Sequence, residues 1–141
     1  MMLDREGIKA IIPHRDPFLL IDRIEYYEPG VAAAGELDVT EDMFWVPGHF
    51  PGHPVMPGVL VVEACAQVGA VVMLSMPENA GKIALFGGVD KVRFKRQVVP
   101  GDTLRLECEI VKSRGSIGFG AGKAYVGDEL AFTGELMFAI R

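Results

Sequence analysis

The stretch GVLVVEACAQVGAVVMLSM, from Gly58 to Met76, constrains the fold more than any other part of the chain. It is almost long and apolar enough to span a bilayer. Two features argue against that placement. Glu63 and Gln67 lie inside it, and a mid-membrane carboxylate costs roughly 2.5–3.5 kcal/mol on the insertion scale. In addition, no cluster of Lys or Arg flanks either end. The alternative is a helix over residues 59–74 buried inside a soluble protein. Pro57 suits its first turn, where a missing N–H loses nothing. Such a helix is apolar on every side and has to be covered all round.

The cover has to come from strands. Short apolar runs at residues 18–26 and 31–39, joined at Glu28-Pro29-Gly30, predict two of them. Later in the chain Leu104, Leu106, Cys108 and Ile110 alternate with Arg105, Glu107 and Glu109, the period-two pattern of a half-buried strand. Leu130, Phe132, Leu136, Phe138 and Ile140 predict another, with Gly134 on the same face and Gly127-Asp128 turning into it. Between these two, Gly118, Gly120 and Gly122 strip one face of a strand of its side chains, so something approaches that face closely. The helix is the candidate, because Ala64, Ala66, Gly69 and Ala70 keep parts of it slim. Residues 5–12 predict a short helix. Residues 44–58, with four prolines and three glycines, predict an ordered loop. One all-apolar helix and five or six antiparallel strands make an α+β layer architecture, a sheet curled around a long central helix in the outline of a hot-dog fold.

With 141 residues, a single domain spanning 1–141 is expected. Half of the chain is apolar and the formal net charge is -5, which leaves no electrostatic footprint for nucleic acid. Cys65 and Cys108 lie in apolar sequence and read as buried thiols in a reducing compartment. The first twenty residues carry early acidic groups and two prolines, unlike the uninterrupted apolar core of a secretory signal, so a cytoplasmic location is expected.

Glutamate is rarely buried unless it is paired or used, yet Glu63 sits amid the helix's apolar residues. One reading is a carboxyl bonded to Gln67 one turn on. The other is a general acid whose proton affinity is raised by burial. His49 lies in the rigid loop WVPGHFPGHPVMPG, and histidine is the usual general base near neutral pH. His49 and His53 are four apart, a metal-pair spacing only on a helix, and Phe50-Pro51-Gly52 denies them one; no metal is expected. The free N–H groups near Gly58 and Val59 form a site for the negative charge of an enolate-like carbonyl. Base, acid and oxyanion donors thus fall between residues 49 and 63.

GHFPGHPVMPGVLVVEACAQ, the upstream IPHRDPFLLIDRI and the downstream VDKVRFKRQVVPGD resemble the (3R)-hydroxyacyl-[acyl-carrier-protein] dehydratases of bacterial type II fatty acid synthesis. The resemblance runs from Ile12 to Ile140. It implies a hot-dog fold, no cofactor, His49 and Glu63 as the catalytic pair, and a thioester carbonyl held by the N–H of Gly58. Phe50, Pro57 and Val59 complete the expected substrate-binding set. It also implies homodimers assembling as hexamers, with His49 and Glu63 of each site drawn from different chains. A sister group of dehydratase/isomerases carries Asp where this chain has Glu63, which favours the enzyme without isomerase activity. Gln97 and Leu85 depart from the family pattern, where proline and tyrosine are common.

His14, Arg15, Asp16, Asp22 and Arg23 read as ion-paired or turn-forming structural residues. Lys91, Arg93 and Lys95, expected on one strand face, and the adjacent Arg96 form a basic cluster. It reads either as a solvated face or as a docking patch for the acidic acyl carrier protein. Two rival functions are a hot-dog thioesterase and a non-catalytic acyl- or lipid-binding module. The His and Glu pair in the HFPGHP loop favours dehydration over both.

Overall fold

The computed structural model describes residues 2–141. Its element order is α1 (Arg5–Lys9), β1 (Arg23–Glu28), β2 (Ala32–Asp38), α2 (Gly58–Leu74), a short 3-10 turn at Pro77–Asn79, β3 (Ala84–Phe94), β4 (Thr103–Arg114), β5 (Ile117–Val126) and β6 (Glu129–Ile140). The six strands form one sheet in the order β1-β2-β4-β5-β6-β3, and every pairing is antiparallel. The sheet wraps α2, and a single core cluster joins the helix to residues of all the inner strands. No helix among the described residues is long and apolar enough to cross a membrane.

The sheet closes on the helix because both sides of the contact lack bulk. A Cβ on Gly118 would lie 2.9 Å from Met73 Cε, and one on Gly122 would lie 2.7 Å from Cys65 Sγ. On the helix, a Cβ at Gly69 would lie 2.5 Å from Phe138 Cζ. Gly120 differs, since its free face is filled by Cys108 of β4 and Phe138 of β6 rather than by the helix. Cys65 and Cys108 are both buried free thiols, and burial pushes Cys108 up to about 12.

Several sequence expectations are corrected. The first strand starts at Arg23 rather than Phe18, because the backbone of Phe18 and Leu20 bonds to the Gln67 side chain instead of a neighbouring strand. Pro57 stands one residue before the helix, outside its first turn, and caps it by accepting from the N–H groups of Leu60 and Val61. The helix is not covered all round, since Val59 is 73% exposed. In β6, Phe132, Gly134, Leu136, Phe138 and Ile140 do share the buried face. A register shift between Ala124 and Tyr125 then leaves Leu130 half-buried and buries Ala131 instead. The basic cluster is not one strand face. A bulge between Asp90 and Arg93, with Lys91 at φ 51°, breaks the alternation, and Lys95 lies beyond the strand end.

The two sheet edges differ. Leu3 exchanges backbone hydrogen bonds of 2.9 Å with Ile24 on β1, while β3 pairs only with β6 and leaves Leu85, Phe86 and Val89 exposed. Near the amino terminus, Arg5 pairs with Asp16 and Asp22, and Arg23 with Glu36 and Asp38, as expected for structural ion pairs.

If thin backbone is what seats the helix, Gly122→Ala lowers unfolding stability by about 1–3 kcal/mol through overpacking. Gly48→Ala, with open space around its Cβ, stays within about 0.5 kcal/mol of the parent. Denaturant titrations of both variants make the comparison.

Candidate active site

The loop before α2 is held by its own backbone. Buried Trp45 anchors it, and its carbonyl accepts from the N–H groups of Gly48 and His49. Phe50 and His53 exchange backbone bonds of 3.1 and 2.8 Å around Pro51-Gly52. Gly52 has φ 73°, the arrangement of a type II turn with Pro and Gly in its two central positions. Val55 N–H bonds the His49 carbonyl, and Met56 N–H bonds the Val98 carbonyl, which ties the loop to the segment after β3. The His49–Phe50 peptide is cis, and the two rings stack at 4.0 Å.

This frame sets the chemistry of His49. Its Nδ1 lies 2.7 Å from the Val55 carbonyl oxygen. A carbonyl only accepts, so Nδ1 carries the hydrogen and Nε2 keeps the lone pair of a base. Beside it opens a cleft of about 550 Å³ lined by His49, Val55, Gly58, Val59, Phe94 and Lys95, among others. The N–H groups of Gly58 and Val59, at the start of a 17-residue helix, meet no backbone carbonyl among the described residues. With the helix dipole they offer a partial positive charge at the cleft. The Phe94 ring covers this helix end so closely that a Cβ on Gly58 would lie 2.8 Å from it.

Glu63 belongs to a second cluster. Its side chain is only 19% exposed; Oε2 accepts from Gln67 Nε2 at 2.9 Å and lies 3.6 Å from His14 Nε2. Gln67 is 1% exposed, and its amide has one possible orientation. Its oxygen accepts from Leu20 N–H at 2.8 Å, so its nitrogen is the group that donates to Phe18 O and to Glu63. Glu63 Oε2 is therefore an acceptor, and Oε1 makes no hydrogen bond among the described residues. Burial holds the His14 imidazole below its ordinary value, outweighing the opposite pull of Glu63, and Arg15 adds to the lowering.

A model of the FabA-like domain matches residues 12–135. The 3-hydroxyacyl-[acyl-carrier-protein] dehydratase FabZ of Desulforamulus reducens is 63% identical over 139 residues, covering 99% of this chain and 98% of that protein. The FabZ of Moorella thermoacetica is 58% identical, covering 98% and 96%. The chain belongs to the 3-hydroxyacyl-[acyl-carrier-protein] dehydratase family. Among solved structures, the dehydratase heterocomplex ApeI:P of Xenorhabdus doucetiae aligns with a TM-score of 0.81 at 18% identity, covering 95% of this dehydratase and 90% of that chain. A Thermus thermophilus thioesterase superfamily member aligns at 0.67 and 23% identity, covering 83% and 85%. These two likenesses establish the hot-dog fold.

In the dehydratase chain His49, Gly58 and Val59 come together at the cleft, and Phe50 is stacked on His49 with half of its surface exposed. Pro57 acts through its carbonyl, as the cap, and does not line the cleft. No hydrogen bond or ion pair joins His49 to Glu63 among the described residues. Glu63 faces His14 and Gln67 instead and does not line the cleft beside His49. Two neighbours of His49 and Glu63 were missed from sequence. Val55 acts through a backbone carbonyl, which no side-chain pattern reveals. His14 is 49 residues from Glu63, and the one signal for it was that a buried carboxyl demands a polar partner.

Gln67→Met keeps the volume but leaves the Leu20 N–H, the Phe18 carbonyl and Glu63 Oε2 without their partner. We expect a loss of at least about 1–3 kcal/mol, the penalty of one unsatisfied buried group, together with reduced turnover, read by denaturant unfolding and a dehydration assay on the same preparation.

Proposed function

We propose that this dehydratase eliminates water from (3R)-3-hydroxyacyl chains on acyl carrier protein to give trans-2-enoyl products, with residues 1–141 acting as one catalytic domain. His49 Nε2 takes the α-proton. The electron pair left behind forms the α,β double bond as the β-hydroxyl departs, and Glu63 Oε1 protonates that hydroxyl so that it leaves as water. The Gly58 N–H, and the helix dipole behind it, stabilise charge on the thioester oxygen. The observation that carries this reading is the 2.7 Å bond from His49 Nδ1 to the Val55 carbonyl. It supports a base role by leaving Nε2 free at the rim of a cleft that ends on a helix N-terminus. Every step is proton transfer or charge stabilisation by groups of the protein, so the scheme calls for no cofactor or metal.

The separation of His49 from Glu63 supports a site shared between two chains of a homodimer. A long edge strand, β3, and the exposed first turn of α2 at Val59 are the surfaces a two-fold partner would cover. Family resemblance extends this to hexamers of three dimers. Lys95, at the cleft, and Arg93 have no ion-pair partner among the described residues, whereas Lys91 and Arg96 are paired with Glu135 and with Asp102 and Glu129. Unpaired cations beside the cleft of an acidic protein suit an acidic carrier protein as partner. The cytoplasm, where both thiols stay reduced, is the proposed location.

Hydration of a crotonyl thioester, the reverse reaction followed by loss of enoyl absorbance, tests the assignment. The parent protein hydrates it, and His49→Ala loses roughly a hundredfold or more of that activity with an unchanged circular dichroism spectrum. Release of free thiol without hydration makes the protein a thioesterase; a folded His49→Ala variant of near-normal rate removes His49 from the mechanism.

A further inference from the structure

His14 sits between α1 and β1, with Nε2 3.6 Å from Glu63 Oε2. Its Nδ1 is buried without a hydrogen-bond partner among the described residues. An unpaired buried polar atom disfavours folding, so this imidazole is held where it is by something other than its own satisfaction. The groups that face it are Glu63 from α2 and Arg15 from its own segment; burial, joined by Arg15, outweighs Glu63 in lowering its affinity for a second proton. Geometry points the same way, because a second proton would have to sit on Nδ1, where no acceptor meets it. With one hydrogen to place and a carboxylate oxygen opposite Nε2, the hydrogen belongs on Nε2.

We propose that His14 is a positioning residue for the acid: its uncharged Nε2–H faces Oε2 at 3.6 Å, beyond hydrogen-bond length, and its dipole adds to the Gln67 hydrogen bond in keeping Glu63 Oε2 the accepting oxygen, so that the transferable proton rides on Oε1. The inference rests on the reading of Glu63 as the general acid. It explains why the neighbour is a neutral imidazole. A cation there would hold the carboxylate charged and withhold the proton, while an apolar ring would leave Oε2 to Gln67 alone.

The test is a series of folded variants assayed in the dehydration direction, with a 3-hydroxybutyryl thioester as substrate across a range of pH. His14→Gln, which keeps an uncharged N–H donor, retains kcat within about threefold. His14→Phe keeps bulk without a donor and lowers kcat about tenfold at unchanged KM. It also moves the alkaline limb of the kcat profile to higher pH, since an ionised carboxylate that loses a donor is less stable. His14→Lys moves that limb the other way. If His14→Phe does not fold, His14→Leu serves as the donor-free variant. A donor-free variant with parental kcat and an unmoved limb overturns the proposal, and so does a His14→Gln variant as impaired as His14→Phe, which would mark a role of shape alone. Glu63→Gln keeps the two failures apart. Normal turnover in that variant sinks the acid assignment itself, whereas an inactive Glu63→Gln beside a parental His14→Phe sinks only the role of His14.

Discussion

Everything in this molecule depends on the contact between a thin apolar helix and a sheet with glycines where side chains would stand. Gly69 lets Phe138 reach the helix, while Gly118 and Gly122 let Met73 and Cys65 reach the sheet. That close approach puts α2 inside a curled sheet and takes nearly all of it out of water. Its two polar side chains then have to be satisfied from within. Gln67 is satisfied by the backbone at Phe18 and Leu20, and Glu63 by Gln67 with His14 nearby. The carboxyl proposed as the acid is thus fixed in direction by the packing that builds the core.

The histidine proposed as the base is held differently. His49 stands on a loop with no regular structure, yet each of its backbone polar groups has a partner, and its ring is fixed by the Val55 carbonyl. The loop is held by hydrogen bonds around a Pro-Gly turn together with the burial of Trp45 and Met56. Pro57 ends that loop and starts the helix, so the positions of the base and of the helix N-terminus are set by one short piece of chain.

How much of this the sequence discloses depends on the range of the interaction that decides each feature. Alternation at Leu104, Leu106 and Cys108 is local and was readable, as was the glycine-stripped strand, since a missing side chain implies a close neighbour. His49 and Glu63 stood out because their residue types are unusual for their surroundings. The start of β1 was misplaced because Gln67, far along the chain, takes the backbone bonds a strand would have used. Leu130 and Ala131 exchanged places through a bulge that no composition marks. His14 reads as structural in the sequence, and only the fold brings its Nε2 to 3.6 Å from Glu63 Oε2. Val59 was expected to be covered, and within one chain nothing covers it.

A second copy of the chain is the explanation proposed both for that last mismatch and for the absence of Glu63 from the His49 cleft. The measurement that tests it most directly is complementation. His49→Ala and Glu63→Ala, each inactive alone, are refolded together and assayed. If each site draws His49 from one chain and Glu63 from the other, random pairing leaves one intact site in every mixed dimer, and about a quarter of parental activity returns. If both residues of a site come from the same chain, every site carries a lesion and the mixture stays as inactive as its parts.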